Sequence, residues 1–210
     1  MVVKVPEGWT ETSLPSPDLS GAVGVTLSAW NAWAPMDAKG DALGYASSAL
    51  VCACFQGDPG TWTTEAEPIA LEHLRGMVSS TALRVARLGE LGVVATTREG
   101  ELTTQRLAGR GEAEHRLSAE TFLGFAVGKA KGPDLVGCFA LCTGDTAKCD
   151  ASVEGASVSA VFVPAPPTSL SLRAILAAVH HPSTTLAMAT AVALLVAAAL
   201  VVTRRRPRTK

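Results

Sequence analysis

Five cysteines carry most of the chemistry open to this sequence: Cys52 and Cys54 in VCACF, Cys138 and Cys142 in GCFALC, and Cys149. Side chains alternate between faces along a β-strand, so Cys52 shares a face with Cys54, and Cys138 with Cys142. Three chemistries compete for them. The plainest is packing, because free cysteine behaves as a small hydrophobe and is among the most buried residue types. The second is structural disulfides, which imply an oxidising compartment. A Cys142–Cys149 bridge closing the TGDTAK loop is the easiest to draw, subject to geometry. The third is a thiolate site, redox-active or zinc-binding, built from Cys52, Cys54, Cys138 and Cys142. CxC and CxxxC on strands are not the usual zinc spacing, and no histidine lies near in sequence. An odd count leaves one thiol over in any full disulfide scheme.

Other reactive residue types fail on detail. His180-His181 is a pair able to bind a metal or titrate near neutral pH. It stands just before a long apolar run, however, and suits a polar cap on a membrane helix. His73 and His115 sit in charged surroundings, as ordinary surface residues do. The stretch Gly124 to Ala130, GFAVGKA, has three residues between its glycines where a phosphate loop needs four. It also lacks the Ser/Thr that holds magnesium. The GxSxG elbow, HExxH and GxGxxG are absent. Glu65 and Glu67 suit helix capping and Glu72 a solvated helix face, so no pair of working carboxylates emerges. Trp9, Trp30, Trp33 and Trp62 cluster in the first third of a chain that is only 5% aromatic. Core burial is expected for at least two of them, and an exposed one would mark a binding surface. No catalytic residue, cofactor motif or metal site is assigned.

The elements that must position these residues are legible from pattern. GAVGVTLSAW and YASSALVCACFQ read as strands, with β-branched and apolar residues between turn signals. Asp58-Pro59-Gly60 supplies a turn. Thr64-Glu65-Ala66-Glu67 reads as a capping box. It opens a helix whose apolar face is Leu71, Leu74, Val78, Val85 and Leu88. Gly76 and the Ser79-Ser80-Thr81 run are poor helix formers in its middle. VVATT, LTTQRLAG, HRLSAETFLGFAVG and DLVGCFALCTG then read as an antiparallel meander. A short helix around Ala151 to Val158 closes the unit. The expected class is α+β, an antiparallel sheet with one long helix and a short C-terminal helix packed on it, plus one C-terminal transmembrane helix.

The start Pro6-Glu7-Gly8-Trp9, followed by a hairpin, a long helix and a strand meander, resembles the Mog1/PsbP-like fold over residues 1–163. That resemblance implies an accessory, binding or assembly role more than an enzymatic one, and many such proteins belong to bacterial envelopes. It carries no set of functional residues across. A C-terminal anchor departs from those relatives, which are more often exported or lipidated at the N-terminus.

Beyond Val163 the sequence changes character. PAPPTS removes amide donors and favours an extended spacer. In LSLRAILAAVHH, Leu172, Ile175, Leu176 and Val179 fall at helical spacing, so residues 164–181 read as spacer and juxtamembrane segment. From Leu186 to Thr203 no residue is charged, and the uncharged stretch reaches back to Pro182. At about 1.5 Å per residue, roughly 20 residues cross a bilayer core, so 182–203 reads as a transmembrane helix with the lipid bilayer as its partner. Residues 204–210 form a basic tail: Arg204, Arg205, Arg206, Arg208 and Lys210.

Sidedness is contested within the sequence itself. The basic tail favours the cytoplasm under the positive-inside rule, which would put the domain outside. Yet MVVKVPEGWTETSLPSPDLSG has neither an apolar h-region nor a small-residue cleavage site. Translocating a seven-residue tail is a smaller task than exporting a folded domain. The expectation is therefore a tail-anchored, single-pass protein with its domain on the cytoplasmic face. Removing the five tail cations from the chain's 18 basic residues leaves 13 against 19 acidic ones, a formal charge of −6. That sign argues against nucleic acid as a partner. The reading is a non-catalytic, membrane-tethered module that binds a protein or small ligand through its sheet. The alternative is a thiol-dependent redox or metal function at Cys52, Cys54, Cys138 and Cys142.

Overall fold

The computed structural model describes residues 1–14, 16, 24–36, 48–57, 67–86, 90–110, 116–127, 133–144 and 146–165. The chain divides into two units, Met1–Pro167 and Thr168–Lys210, and every described residue belongs to the first. Its elements run β1 (Trp9–Glu11), β2 (Val25–Pro35), β3 (Ala49–Gly57), α1 (Glu67–Ala86), β4 (Glu90–Glu99), β5 (Leu102–Arg110), β6 (Arg116–Val127), β7 (Pro133–Gly144), α2 (Thr146–Glu154) and β8 (Phe162–Val163). The fold is α+β, as expected.

One antiparallel sheet is ordered β1-β2-β3-β7-β6-β5-β4, with β8 pairing the end of β6. The chain makes a three-strand meander, crosses through α1 to the far edge, and returns strand by strand to meet β3 at β7. The central strand β3, ALVCACFQG, is buried at every residue except Gln56. It reads as a continuous apolar run because it is covered on both faces.

The two covers differ. On one face, Ala70, Leu74, Val78, Ala82 and Val85 of α1 recur every three to four residues and pack on Val51, Phe55, Leu123, Phe139 and Leu141. On the other, Cys149 and Val153 of α2 join Leu50, Cys52, Phe122 and Cys138, with Met1, Val3 and Val5 of the N-terminal segment alongside. That segment is held by paired backbone hydrogen bonds between Val2 and Ser157, 2.8 and 2.9 Å.

Several expectations change in detail. α1 runs unbroken past Gly76, and the hydroxyls of Ser80 and Thr81 donate back to the Met77 carbonyl at 2.9 and 2.8 Å. This is how such residues are tolerated within helices. Glu67 turns its carboxylate toward the β4–β5 hairpin. It accepts a hydrogen bond from Thr103 (2.7 Å) and pairs with Arg98 (3.5 Å), tying the start of α1 to the β4–β5 hairpin. Thr64 and Glu65 lie outside the described residues. The closing helix begins at Thr146, not Ala151, and ends at Glu154, not Val158. The spacing of Cys149 and Val153, one turn apart on a buried face, draws Thr146, Ala147 and Lys148 of TGDTAK into the helix.

The strands β1 and β8, three and two residues long, were not expected. Gly124 lies inside β6, so the first four residues of GFAVGKA, Gly124 to Val127, are the end of a strand. A Cβ at Gly124 would fall 2.7 Å from the Phe162 ring and 2.8 Å from the Glu101 carbonyl oxygen, which accounts for the glycine. Among the described residues no helix is long and apolar enough to cross a membrane. The expected span at 182–203, with His180, His181 and the basic tail, lies outside them.

Candidate functional site

All five cysteines gather on the α2 face of the sheet. The register sets Cys54 directly opposite Cys138, and their sulfurs lie at bonding distance. Cys142, two strand positions further along that face, meets Cys149 of α2, also at bonding distance. Cys52 lies opposite Ala140, between the two bridges, and is unpaired and buried. Burial pushes its thiol up to about 12, against a smaller opposing pull from the Met1 ammonium. Such a thiol is protonated at physiological pH and a poor nucleophile or ligand.

The proposed thiolate quartet of Cys52, Cys54, Cys138 and Cys142 therefore shares a face but not a centre: Cys54 and Cys138 are bonded to each other, Cys142 is bonded to Cys149, and Cys52 alone keeps a thiol. Among the described residues no group of three or more His, Cys, Asp or Glu side chains is placed to hold a metal. Of the two bridges, the sequence pointed to Cys142–Cys149. Cys54–Cys138, separated by 84 residues, needed the strand register.

The tryptophans divide between the two faces. Trp9 and Trp33 are diagonal neighbours on β1 and β2 and pack half-buried against the cysteine-bearing core. Trp30 packs on the opposite face, with its indole N–H donating to the Leu14 carbonyl at 3.0 Å. None of the three presents an open ring. Trp62 lies outside the described residues. Exposed large apolar side chains are scattered, apart from the adjacent Val93 and Val94 on the edge strand β4.

The concave feature is one that sequence reasoning missed. An open groove of about 520 Å³ runs between α2 and the outer strands, on the cysteine face. Arg106, Ala108 and Arg110 of β5 and Arg116 and Ser118 of β6 make its floor. Asp150, Val153 and Glu154 of α2 form one wall, and Val94 of β4 bounds the groove as well. The wall is tied to the floor by polar contacts. Arg106 pairs with Glu154 at 2.6 Å, and the Ser118 hydroxyl donates to the Asp150 carboxylate.

Arg106 also stands opposite Glu120 in the strand register. Burial raises the carboxyl pKa of Glu120. The nearby Arg106 lowers it in part and Glu154 adds to the rise. At the other end the pattern inverts, because Arg110 stands opposite Arg116, cation against cation. Alternation along β5 places Arg106 and Arg110 on one face, a signal legible in LTTQRLAGR. The opposition to Arg116 depends on the register between β5 and β6, which sequence does not disclose.

Chemically the groove holds matched charges near α2 and two adjacent cations, Arg110 and Arg116, away from Arg106. Compared with known proteins, the chain matches no family model and no curated sequence.

Proposed function

We propose that this chain is a membrane-tethered, non-catalytic binding module that presents the groove between α2 and β4–β6 to a protein or small-molecule ligand. The groove is the observation that carries the reading. It is concave and of ligand-accommodating size, and charged and polar side chains make up half of its lining residues. The carboxylates nearest α2 are engaged by Arg106 and Ser118, which suits a docking surface better than acid–base chemistry. The anchor is the uncharged run ending at Thr203 with its basic tail. Likeness to Mog1/PsbP-like accessory proteins is supported by the order of hairpin, helix and four-strand meander alone.

Two bridged cysteine pairs favour an oxidising compartment. They weigh on the side of the basic tail and against the cytoplasmic placement expected from the start of the sequence. The same pairs, with Cys52 protonated, speak against a thiol-dependent activity.

The groove is tested in membranes of cells producing the full chain. A photo-crosslinking amino acid at Ala108, exposed on the groove floor, is compared with one at Glu72, exposed on α1. The expected outcome is an adduct, detected by intact mass, from position 108 and not from position 72. Equal labelling at the two positions, or none at 108, would remove the groove as the binding surface.

A further inference from the structure

We propose that the part of the groove where Arg110 and Arg116 stand opposite each other is a binding site for an oxyanion, a carboxylate or phosphate group carried by the ligand. This rests on the groove being the binding surface and names the chemistry it selects.

The argument begins with the cross-strand pairs of β5 and β6. Opposed residues on one face of an antiparallel pair lie close, and like charges there destabilise the sheet. The pair of strands obeys this rule at one level and breaks it at another. Arg106 is opposed by Glu120 and bonded to Glu154. Four residues on, Arg110 is opposed by Arg116, and neither makes an ion pair or hydrogen bond with a described side chain. Both line the groove, so the surplus charge faces the cavity.

Two guanidinium groups on adjacent strands offer planar, divergent donors that match the oxygens of a carboxylate or phosphate. A bound oxyanion removes the repulsion that the register imposes. Ala108 between Arg106 and Arg110 leaves floor space, and the exposed Val94 offers apolar surface to the rest of the ligand. The acidic side chains of α2, Asp150 and Glu154, disfavour an anion beside the helix and so orient it toward the arginines. Glu90 is the residue opposite Arg110 on β4, and Glu112 and Glu114 lie between the arginines in sequence, outside the described residues. The competing arrangement is neutralisation by these glutamates.

The full chain in nonionic detergent is titrated with inorganic phosphate, and separately with water-soluble dihexanoyl phosphatidate, at constant ionic strength set by chloride. Thermal stability reports binding, since a ligand of the folded state raises Tm with concentration. The expected result is a saturable rise in Tm with at least one of the two. R110A and R116A should each weaken it about tenfold or more, while K148A, at an exposed position on α2, leaves it unchanged. A response to phosphatidate alone assigns the anion to a lipid headgroup, and a response to inorganic phosphate assigns it to a free or ligand-borne phosphate.

A second readout needs no ligand. R116Q should raise Tm at low salt, with the gain disappearing at high salt as repulsion is screened. No anion-dependent shift beyond chloride, a shift that survives R110A and R116A, or no salt-dependent gain in R116Q overturns the proposal. If crosslinking at position 108 persists unchanged in R110A/R116A, the groove stands as a binding surface and only its anion chemistry fails.

Discussion

Cys52 keeps its proton because its thiolate would have no solvent and no hydrogen-bond donor to stabilise it: it is buried among Leu50, Phe122 and Ala140, with its thiol pushed up to about 12. Near neutral pH the native chain should therefore take up no alkylating reagent at Cys52, and one equivalent once unfolded. Fast labelling of the folded protein would show that the sheet opens there. C52S, which buries a hydroxyl in apolar surroundings, should cost about 1–3 kcal/mol, more than C52A.

Glu120 is the other residue whose environment sets its charge. A carboxyl with a raised folded-state pKa binds its proton more tightly in the fold than in the unfolded chain. Its contribution to stability is therefore full below the ordinary value of 4.5 and is lost as pH rises through the folded value. E120Q should remove that loss, raising Tm near neutral pH by about 1 °C, with the advantage gone in acid. Thermal melts across pH check this. A lower Tm at neutral pH would mean that attraction to Arg106 outweighs burial.

At the scale of elements, α2 is the piece with least support of its own. Nine residues are too few for a helix to hold itself in water, so its place depends on tertiary ties. Those ties are the Cys142–Cys149 bridge, the burial of Val153, and the contacts of Asp150 and Glu154 to β5 and β6. Loop-closure entropy for a separation of seven residues gives the bridge about 2.5 kcal/mol. The 84-residue separation of Cys54–Cys138 gives about 4.5 kcal/mol in the same picture. C142A/C149A should thus lower stability less than C54A/C138A, yet it should speed hydrogen exchange selectively in residues 146–154. Uniform loss of protection would show that α2 is not a separable unit.

The same element marks where sequence pattern runs out. The strands β4 to β7 and the helix α1 were legible because each is long enough to show its period and is bounded by turn residues. For α2 only two buried positions one turn apart carry the pattern, and the turn-forming TGD before them obscured its start. The short strands β1 and β8 have no period at all, and the ends of β2 and β6 decide where they pair. The groove was hidden for a related reason. Its arginines are ordinary strand residues until a register sets Arg110 against Arg116.

For the whole molecule the proposed anchor raises the question of which side of a membrane would carry the domain, and three features bear on it unequally. The five cations after Thr203 favour a cytoplasmic tail, while the remaining chain is acidic at −6. The two cysteine pairs add a chemical argument, because cytosolic thiols are kept reduced and structural disulfides persist outside. The expectation is an external domain over a cytoplasmic tail. It is read by placing one exposed thiol on α1, E72C, in the full chain, and treating intact cells with a membrane-impermeant maleimide. Labelling before lysis puts the domain outside. In the same cells, alkylation under denaturing conditions without reductant should find only one native thiol, Cys52, and all five after reduction. If E72C labels only after lysis and all five native thiols alkylate without reductant, the domain is cytoplasmic. The paired cysteines are then packing residues at close approach, and the basic tail has crossed the bilayer against the charge rule.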